Sequence, residues 1–217
     1  MPRDKVYAIV EGHGEANTPH AGMDPAVKIL IAKMLQYVQC WQWFPAKYQP
    51  YRLDSCGDFY PHTENLLQVL QAHRKYPDCA AVLVLFDLED DCPRNVAPLV
   101  VQRIREHKPW PFSIVVVCAY REYESWFLAS LETIHPGHIY PGDPETLRDA
   151  KGWLEREFGY REVLHQAEYT KKLDVSTALK SRSFQRLCHA FQELSEVSAK
   201  QQVIITPDIN RVVNKEL

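Results

Sequence analysis

The chain has 217 residues, of which 46% are hydrophobic and 24% charged, and its formal net charge is −3. A chain of this length and apolar content builds one sizeable core, as a single domain or as a domain with a small appendage. The slightly negative charge argues against a generic nucleic-acid-binding protein, whose footprint is strongly basic, and the longest apolar runs are too short to cross a membrane.

Three nearly continuous apolar runs predict the strands of a parallel sheet. They are VYAIV at 6–10, AAVLVLF at 80–86 and FSIVVVCA at 112–119. Strands that are apolar on both faces are typical of parallel sheets covered by helices. A weaker run, KYQPYRL at 47–53, contains Pro50, which predicts an edge strand or an irregular one.

Amphipathic helical patterns separate and follow these strands. In the first part of the chain they cover 25–38, 62–73 and 96–107, and this order predicts an α/β fold with a mainly parallel central sheet flanked by helices. Further helices are predicted at 125–131, 147–158, 160–166, 175–180 and 183–194, the last with Ser183 as its N-cap. We therefore expect an α/β core over 1–135 and a helical extension or lid over 136–217, packed on that core.

Acidic residues follow each of the three main strands. In chain order they are Glu11, Glu15, Asp87, Glu89, Asp90, Asp91, Glu122 and Glu124. Ligands of open parallel sheets bind outside the carboxyl ends of the strands, so these acids are expected at a ligand-binding edge. Acids gathered there repel one another, and a hard cation removes that repulsion. Carboxylate oxygens without histidine or thiolate favour Mg²⁺ or Mn²⁺.

Simpler interpretations remain open for the single residues of this edge. Each acid taken alone is expected to be a solvated loop residue or a helix cap, and Asp91 is placed to cap the next helix. A lone histidine such as His13 is more often an exposed loop residue than a ligand.

The two glycines of EGHGE allow a tight turn and a close approach to a ligand. The stretch satisfies neither GxGxxG nor a P-loop, which disfavours a nucleotide cofactor.

A strand ending in VEGHGE and a later strand ending in FDLEDD resemble the Toprim domain of topoisomerases, bacterial primases and OLD-family nucleases. In that fold a Glu after the first strand and an Asp-x-Asp after a later strand hold divalent metal. The resemblance implies this role for Glu11, Asp87 and Glu89. The third of these is Glu where the family has Asp, and Asp91 is the residue that would take over part of its role.

Other stretches resemble the OLD-type branch in particular. REYESWFLA implies an extra metal ligand at Glu124, with Glu122 as the second choice, and Glu15 resembles the additional acid after the first Glu. AKGWLER places Lys151 where OLD-type proteins carry a Lys near the scissile phosphate. With its AKGWL and SRSF stretches, the whole chain resembles a bacterial Toprim-like family of unassigned function. Members of that family are thought to sit beside ATPase genes, as in phage-defence modules.

The resemblance implies a metal-dependent nuclease that acts on DNA, or less favourably on RNA, together with an ATPase partner. The implied catalytic residues are Glu11, Asp87, Glu89 and Lys151, and the implied ligands of Mg²⁺ or Mn²⁺ are Glu11, Glu15, Asp87, Glu89, Asp91 and Glu124. The competing interpretation is a non-catalytic Toprim-like module that binds an ATPase.

Four cations are candidates for contact with nucleic acid, and the segment that holds most of them is mildly basic. They are Arg121, Lys171, Lys172 and Arg182. Arg121 is equally expected to be a structural ion-pair partner, and charges on amphipathic helices are usually just the solvated face. The N-terminus has charged residues where a signal peptide has an apolar core, so we expect a cytoplasmic protein without a membrane partner.

Overall fold

The computed structural model describes residues 3–18, 22–197 and 201–206, and a six-stranded sheet forms its centre. The strands are β1 (Lys5–Val10), β2 (Phe44–Pro45), β3 (Tyr51–Arg52), β4 (Cys79–Asp87), β5 (Ser113–Ala119) and β6 (Ile204–Ile205). Their order is β2-β1-β4-β5-β6, with β3 also paired to β1. Every strand pair in the described ranges is parallel, which confirms the predicted α/β fold with a mainly parallel sheet.

The three long strands lie where the apolar runs predict them. The run at 47–53 forms only the two-residue strand β3, and β2 precedes it on the same outer side of β1, as expected around Pro50. Strand β6, which pairs with β5, was not predicted. Its two residues are too few for a strand pattern to be recognised.

Ten α-helices, besides a 3₁₀ turn at Cys56–Asp58, occupy the described part of the chain. They are α1 (His13–Ala16), α2 (Ala26–Tyr37), α3 (Glu64–His73), α4 (Pro93–Glu106), α5 (Glu124–Ala129), α6 (Leu131–Ile134), α7 (Ala150–Phe158), α8 (Glu162–Lys172), α9 (Val175–Ala178) and α10 (Arg182–Ser195). The short helices α1 and α6 were not predicted. Helix α8 continues past its predicted end because Ala167, Tyr169 and Thr170 maintain its buried face.

The predicted cap of the last helix is wrong by two residues. Ser181, not Ser183, is the N-cap of α10, since its backbone is extended and its Oγ accepts the Phe184 N–H at 3.1 Å. Ser183 lies inside the first turn, where its Oγ accepts the indole N–H of Trp126 at 2.8 Å. Two polar groups of the core are thereby satisfied.

Alternate residues of the central strands face two separate cores. On one side, Tyr7 and Ile9 of β1 pack with residues of α3 and α4. On the other side, Val6 and Val10 pack with α2, α5 and the C-terminal helices. Trp126, Phe127 and Phe184 are fully buried in this second core.

The helices after residue 135 share that core with the sheet. The division of the chain into 1–135 and 136–217 stays a prediction, and residues 207–217 of the extension lie outside the described residues. None of the described helices has both the length and the apolar character that crossing a membrane demands.

The register of the central strands decides where the acids lie. Val10 of β1 is paired with Leu85 of β4, and Asp87 of β4 is paired with Ala119 of β5. The carboxyl ends of these three neighbouring strands therefore finish at one edge of the sheet, and the residues that follow them share a cavity.

Candidate functional site

A cavity of about 520 Å³ opens at this edge, and we call it the acidic cavity. Its lining residues include most of the predicted site: Glu11, His13, Glu15, Asp87, Glu89, Arg121, Glu122, Glu124 and Lys151. They come from the ends of β1, β4 and β5 and from the start of α7. The three acidic stretches that the sequence places after separate strands thus meet around one space.

The first acidic stretch enters the cavity through the end of β1 and the turn of α1. Glu11 follows β1, and its Oε2 accepts the backbone N–H of Asp87 at 3.2 Å. Glu15 is carried inward by α1 and is 5% exposed. Its Oε1 accepts the side-chain amide of Gln166 at 3.0 Å, whereas its buried Oε2 has no hydrogen-bond partner.

The two glycines of EGHGE make room for these polar side chains. A Cβ on Gly12 would lie 1.7 Å from Oε2 of Glu15, and a Cβ on Gly14 would lie 2.0 Å from Oε1 of Gln166. The Gly14 N–H also donates to Oε1 of Glu162 at 3.0 Å. The close approach expected of this turn is therefore to the protein's own acids and their partners.

The second and third stretches contribute Asp87 and Glu124. Asp87 ends β4, is partly buried, and its carboxylate accepts a hydrogen bond from the Tyr123 backbone. Glu124 is the first residue of α5 and is 3% exposed. Its Oε1 accepts the hydroxyl of Tyr160 at 2.8 Å. Neither carboxylate forms an ion pair with a cation among the described residues.

Burial and mutual repulsion disfavour the charged forms of these acids. Burial raises the pKa of Glu15 to about 7, with further repulsion from Glu162 and Glu11. It raises the pKa of Glu124 to about 8, aided by the charge of Glu15. The pKa of Asp87 also lies well above its ordinary value, first through burial and then through Glu15, Glu124 and Glu11. The predicted repulsion at this edge is therefore present among these three acids.

A strained pair of loop residues forms one wall of the cavity. Glu89 and Arg121 have φ values of 47° and 70°, in the left-handed region that favours glycine. The N–H of Glu89 donates to the Arg121 carbonyl at 3.0 Å, and the Arg121 guanidinium donates to the Glu89 carbonyl at 2.9 Å. Arg121 also pairs with Asp90, which Arg148 approaches to 3.1 Å. Both loop ends are thus held by reciprocal hydrogen bonds.

Lys151, in the first turn of α7, also lines the acidic cavity. Its backbone N–H donates to Oε2 of Glu122 at 2.9 Å, and its ammonium lies 3.3 Å from Oε2 of Glu162. Partial burial lowers the pKa of Lys151, but attraction by Glu162, Glu124 and Glu122 outweighs this effect, so the pKa lies above its usual value. Lys151 is therefore a charged group at physiological pH.

The polar partners of these acids come from the C-terminal half of the chain and were not predicted. Tyr160, Glu162 and Gln166 bind Glu124, Gly14 and Glu15 respectively. Glu162 and Gln166 are four residues apart and so lie on one face of α8, which is the only sequence signal they offer. Only the packing of α8 against α1 shows that this face is turned to the acids.

Four predicted site residues do not line the acidic cavity. Asp91 is exposed, and its neighbour Asp90 lines the cavity instead. Lys171 and Lys172 are exposed at the end of α8, where Lys172 pairs with Glu168. Arg182 lines a different cavity, beside α10. His13 is exposed at the start of α1 and lines the acidic cavity.

The donor set of the acidic cavity fits a hard divalent cation in its chemistry. All the candidate ligands are carboxylate oxygens, and Oε2 of Glu15 is a buried oxygen without a partner. Within the described residues, no group of three or more His, Cys, Asp or Glu side chains is arranged so that it could hold a metal ion as it stands. A bound cation would therefore require these side chains to draw closer together.

Comparison of the chain with protein-family models, with curated proteins and with solved structures finds no match. The chemistry of the acidic cavity is therefore inferred from its residues and their geometry.

Proposed function

We propose that this protein is a divalent-metal-dependent phosphodiesterase that cleaves nucleic acid, with DNA preferred to RNA. The observation that carries the proposal is the meeting of Glu15, Asp87 and Glu124 around one cavity, with pKa values raised by burial and by each other's charge. Such an arrangement is destabilising without a cation, and pKa values perturbed in this way cluster at functional sites.

The metal-binding role is proposed for the acids that line the cavity. Glu11, Asp87 and Glu124 follow three adjacent strands, and Glu15 and Glu89 lie beside them. A Mg²⁺ or Mn²⁺ ion held there would supply an activated water and neutralise charge on a phosphate. Asp91 has the weakest support as a ligand, because Asp90 lines the cavity in its place.

Two cations of the cavity take different parts in this proposal. Lys151 is charged and half-exposed, so it is free to turn from Glu162 toward a phosphate oxygen and to stabilise the negative charge that develops there. Arg121 is held by Asp90 and by the Glu89 carbonyl, so its main contribution is to fix the cavity wall. Its alternative interpretation as a structural ion-pair partner is favoured by these contacts.

The Toprim-like fold is part of the same proposal. The order of β1, β4 and β5, with Glu11 after the first strand and Asp87 after its parallel neighbour, supports it. The ATPase partner and the cytoplasmic location are proposals that rest on the sequence alone.

A non-catalytic role as a binding partner of an ATPase is the second candidate. One observation favours it: no group of three or more acids in the described residues is placed to hold a metal ion. If the side chains cannot move closer together, the cavity is the remnant of a metal site and contributes only to binding of the ATPase.

The test is incubation of the purified protein with plasmid DNA and millimolar Mn²⁺ or Mg²⁺, alongside Glu11→Gln, Asp87→Asn and Glu157→Gln. Glu157 is an exposed residue of α7 outside the acidic cavity and serves as the matched control. We expect nicking by the wild type and the control, with a loss of at least about 100-fold in the other two variants.

Equal cutting by Asp87→Asn would refute the site assignment. Calorimetric titration with Mn²⁺ separates the two candidates when no cutting is seen. Metal binding without cutting, even with the partner ATPase added, favours the binding module, and absence of any metal binding removes the metal-dependent mechanism.

A further inference from the structure

A second cavity adjoins the acidic one, and both arginines and acids line it. It has a volume of about 720 Å³, and we call it the arginine cavity because Arg94, Arg182 and Arg186 line it. Arg94 lies in the first turn of α4, and the other two lie in the first two turns of α10. The guanidinium groups of Arg94 and Arg182 therefore line one space beside the N-terminus of α4, which favours an anionic ligand.

The acids of the arginine cavity are already used by the protein. Oε1 of Glu145 accepts the Ser181 hydroxyl and the Ser183 N–H, both at 2.7 Å. Oδ1 of Asp143 accepts the N–H of Glu145 at 2.9 Å. Glu145 thus binds the N-terminal end of α10, and Asp143 binds the loop before it. Neither forms an ion pair with Arg94 or Arg182. The two carboxylates keep their charges, but the guanidinium N–H groups of Arg94 and Arg182 donate to no described residue and are left for a ligand from outside.

Arg94 and Arg182 are also accessible. Both are exposed, and neither forms an ion pair or a hydrogen bond through its side chain with another described residue. The N-cap of α4, Cys92, makes no side-chain hydrogen bond to the helix, and no acid lies in its first turn. Guanidinium groups bind phosphate through two parallel hydrogen bonds, and uncapped helix amides favour the same group.

The two cavities adjoin across the loops that end β4 and β5. Tyr120 lines the arginine cavity, and the next residue, Arg121, lines the acidic one. In the same way, Asp90 lines the acidic cavity, and Cys92, two residues later, lines the arginine cavity. A phosphodiester chain whose reacting phosphate lies in the acidic cavity would therefore place a neighbouring phosphate in the arginine cavity, with Tyr120 beside the intervening nucleotide.

We infer that the arginine cavity binds a flanking phosphate of a single-stranded nucleic acid, with Arg94 and Arg182 as the phosphate contacts. This inference rests on the proposed function and assigns the substrate strand a second contact. Single strands are recognised by cations that follow the backbone and by aromatic rings on which bases stack, whereas bases within a duplex are already stacked on their neighbours. Tyr120, whose ring carries the Arg121 guanidinium 4.9 Å from its centroid, is the aromatic ring that lines this cavity.

The experiment measures binding rather than cleavage. A fluorescein-labelled single-stranded oligonucleotide is titrated in EDTA at low and moderate salt, and its anisotropy gives the affinity of the wild type, Arg94→Gln/Arg182→Gln and the control Lys75→Gln/Arg103→Gln. The control residues are exposed and lie outside both cavities. Thermal melts confirm that each variant is folded, and Arg94→Lys/Arg182→Lys is a second variant that keeps the charge.

We expect the Arg94→Gln/Arg182→Gln variant to bind at least about tenfold more weakly than the control. Its salt dependence should also become shallower, by about 0.7 in slope for each phosphate that the variant no longer neutralises. The Arg94→Lys/Arg182→Lys variant should retain the slope but bind more weakly than wild type, because Lys does not present the bidentate fork of Arg. An affinity equal to that of the control, or tighter binding of a duplex of the same sequence, would overturn the inference. Since the titration contains no divalent metal, its result is independent of whether the acidic cavity cleaves DNA.

Discussion

Replacing Glu124 by Gln should stabilise the metal-free protein at alkaline pH and abolish its stabilisation by metal. The substitution removes a charge but keeps the shape, and the amide oxygen of Gln still accepts the Tyr160 hydroxyl, which lies 2.8 Å from Oε1 of Glu124. A metal ligand is expected to show opposite effects on stability: its loss stabilises the metal-free protein and destabilises the metal-bound protein. A residue with a purely structural role would lower the stability in both conditions.

The magnitude follows from the pKa of Glu124, which burial raises from 4.5 to about 8. The folded protein holds this proton more tightly than the unfolded chain does. The stability from this group is therefore present below about pH 4.5 and is lost progressively as the pH rises toward about 8. At about 1.4 kcal/mol per pH unit the upper bound of this loss is roughly 5 kcal/mol, and we expect relaxation of the neighbouring acids to reduce it to about 2 kcal/mol.

The assay is thermal unfolding at pH 5 and pH 8, with and without Mn²⁺, and Glu157→Gln is the exposed control. For a chain of this size we expect Glu124→Gln to raise the Tm at pH 8 by roughly 4–8 °C and to change it little at pH 5. Mn²⁺ should raise the Tm of the wild type and the control, more at pH 8 than at pH 5, because binding displaces protons. If Glu124→Gln gains no more stability at pH 8 than at pH 5, the reasoning from buried repulsion is wrong.

Two further substitutions test the walls of the acidic cavity. Gly14→Ala should lower the free energy of unfolding by about 2 kcal/mol, because its Cβ would lie 2.0 Å from Oε1 of Gln166. Urea titration measures this change. The control is Gly57→Ala, whose Cβ meets nothing closer than 3.4 Å and which should change the stability little. Glu89→Gly should stabilise the metal-free protein by about 1 kcal/mol, because glycine adopts the φ of 47° without strain. The same variant should bind Mn²⁺ more weakly in calorimetry if Glu89 is a ligand, and unchanged affinity would remove it from the ligand set.

Much of the architecture follows from patterns along the chain. Nearly continuous apolar runs define β1, β4 and β5, since only strands covered on both faces require them. Because these strands are parallel and adjacent, the acids that follow them meet at one edge, and Glu11, Asp87 and Glu124 were predictable for this reason. Short or irregular elements such as α1 and β6 were not predictable, because their formation depends on contacts with distant segments.

Tertiary packing alone decided the environment of these acids. Gln166 reaches Glu15 across 151 positions of the chain, and Glu162 reaches Gly14 across 148, so no local pattern pairs them. Asp90 rather than Asp91 lines the cavity, in a loop where Glu89 has a left-handed φ that no local pattern predicts. The sequence thus determined which edge of the sheet is acidic, because strand direction is a local property. Burial, hydrogen-bond partners and raised pKa values depend on what packs over that edge, and only the folded chain specifies this.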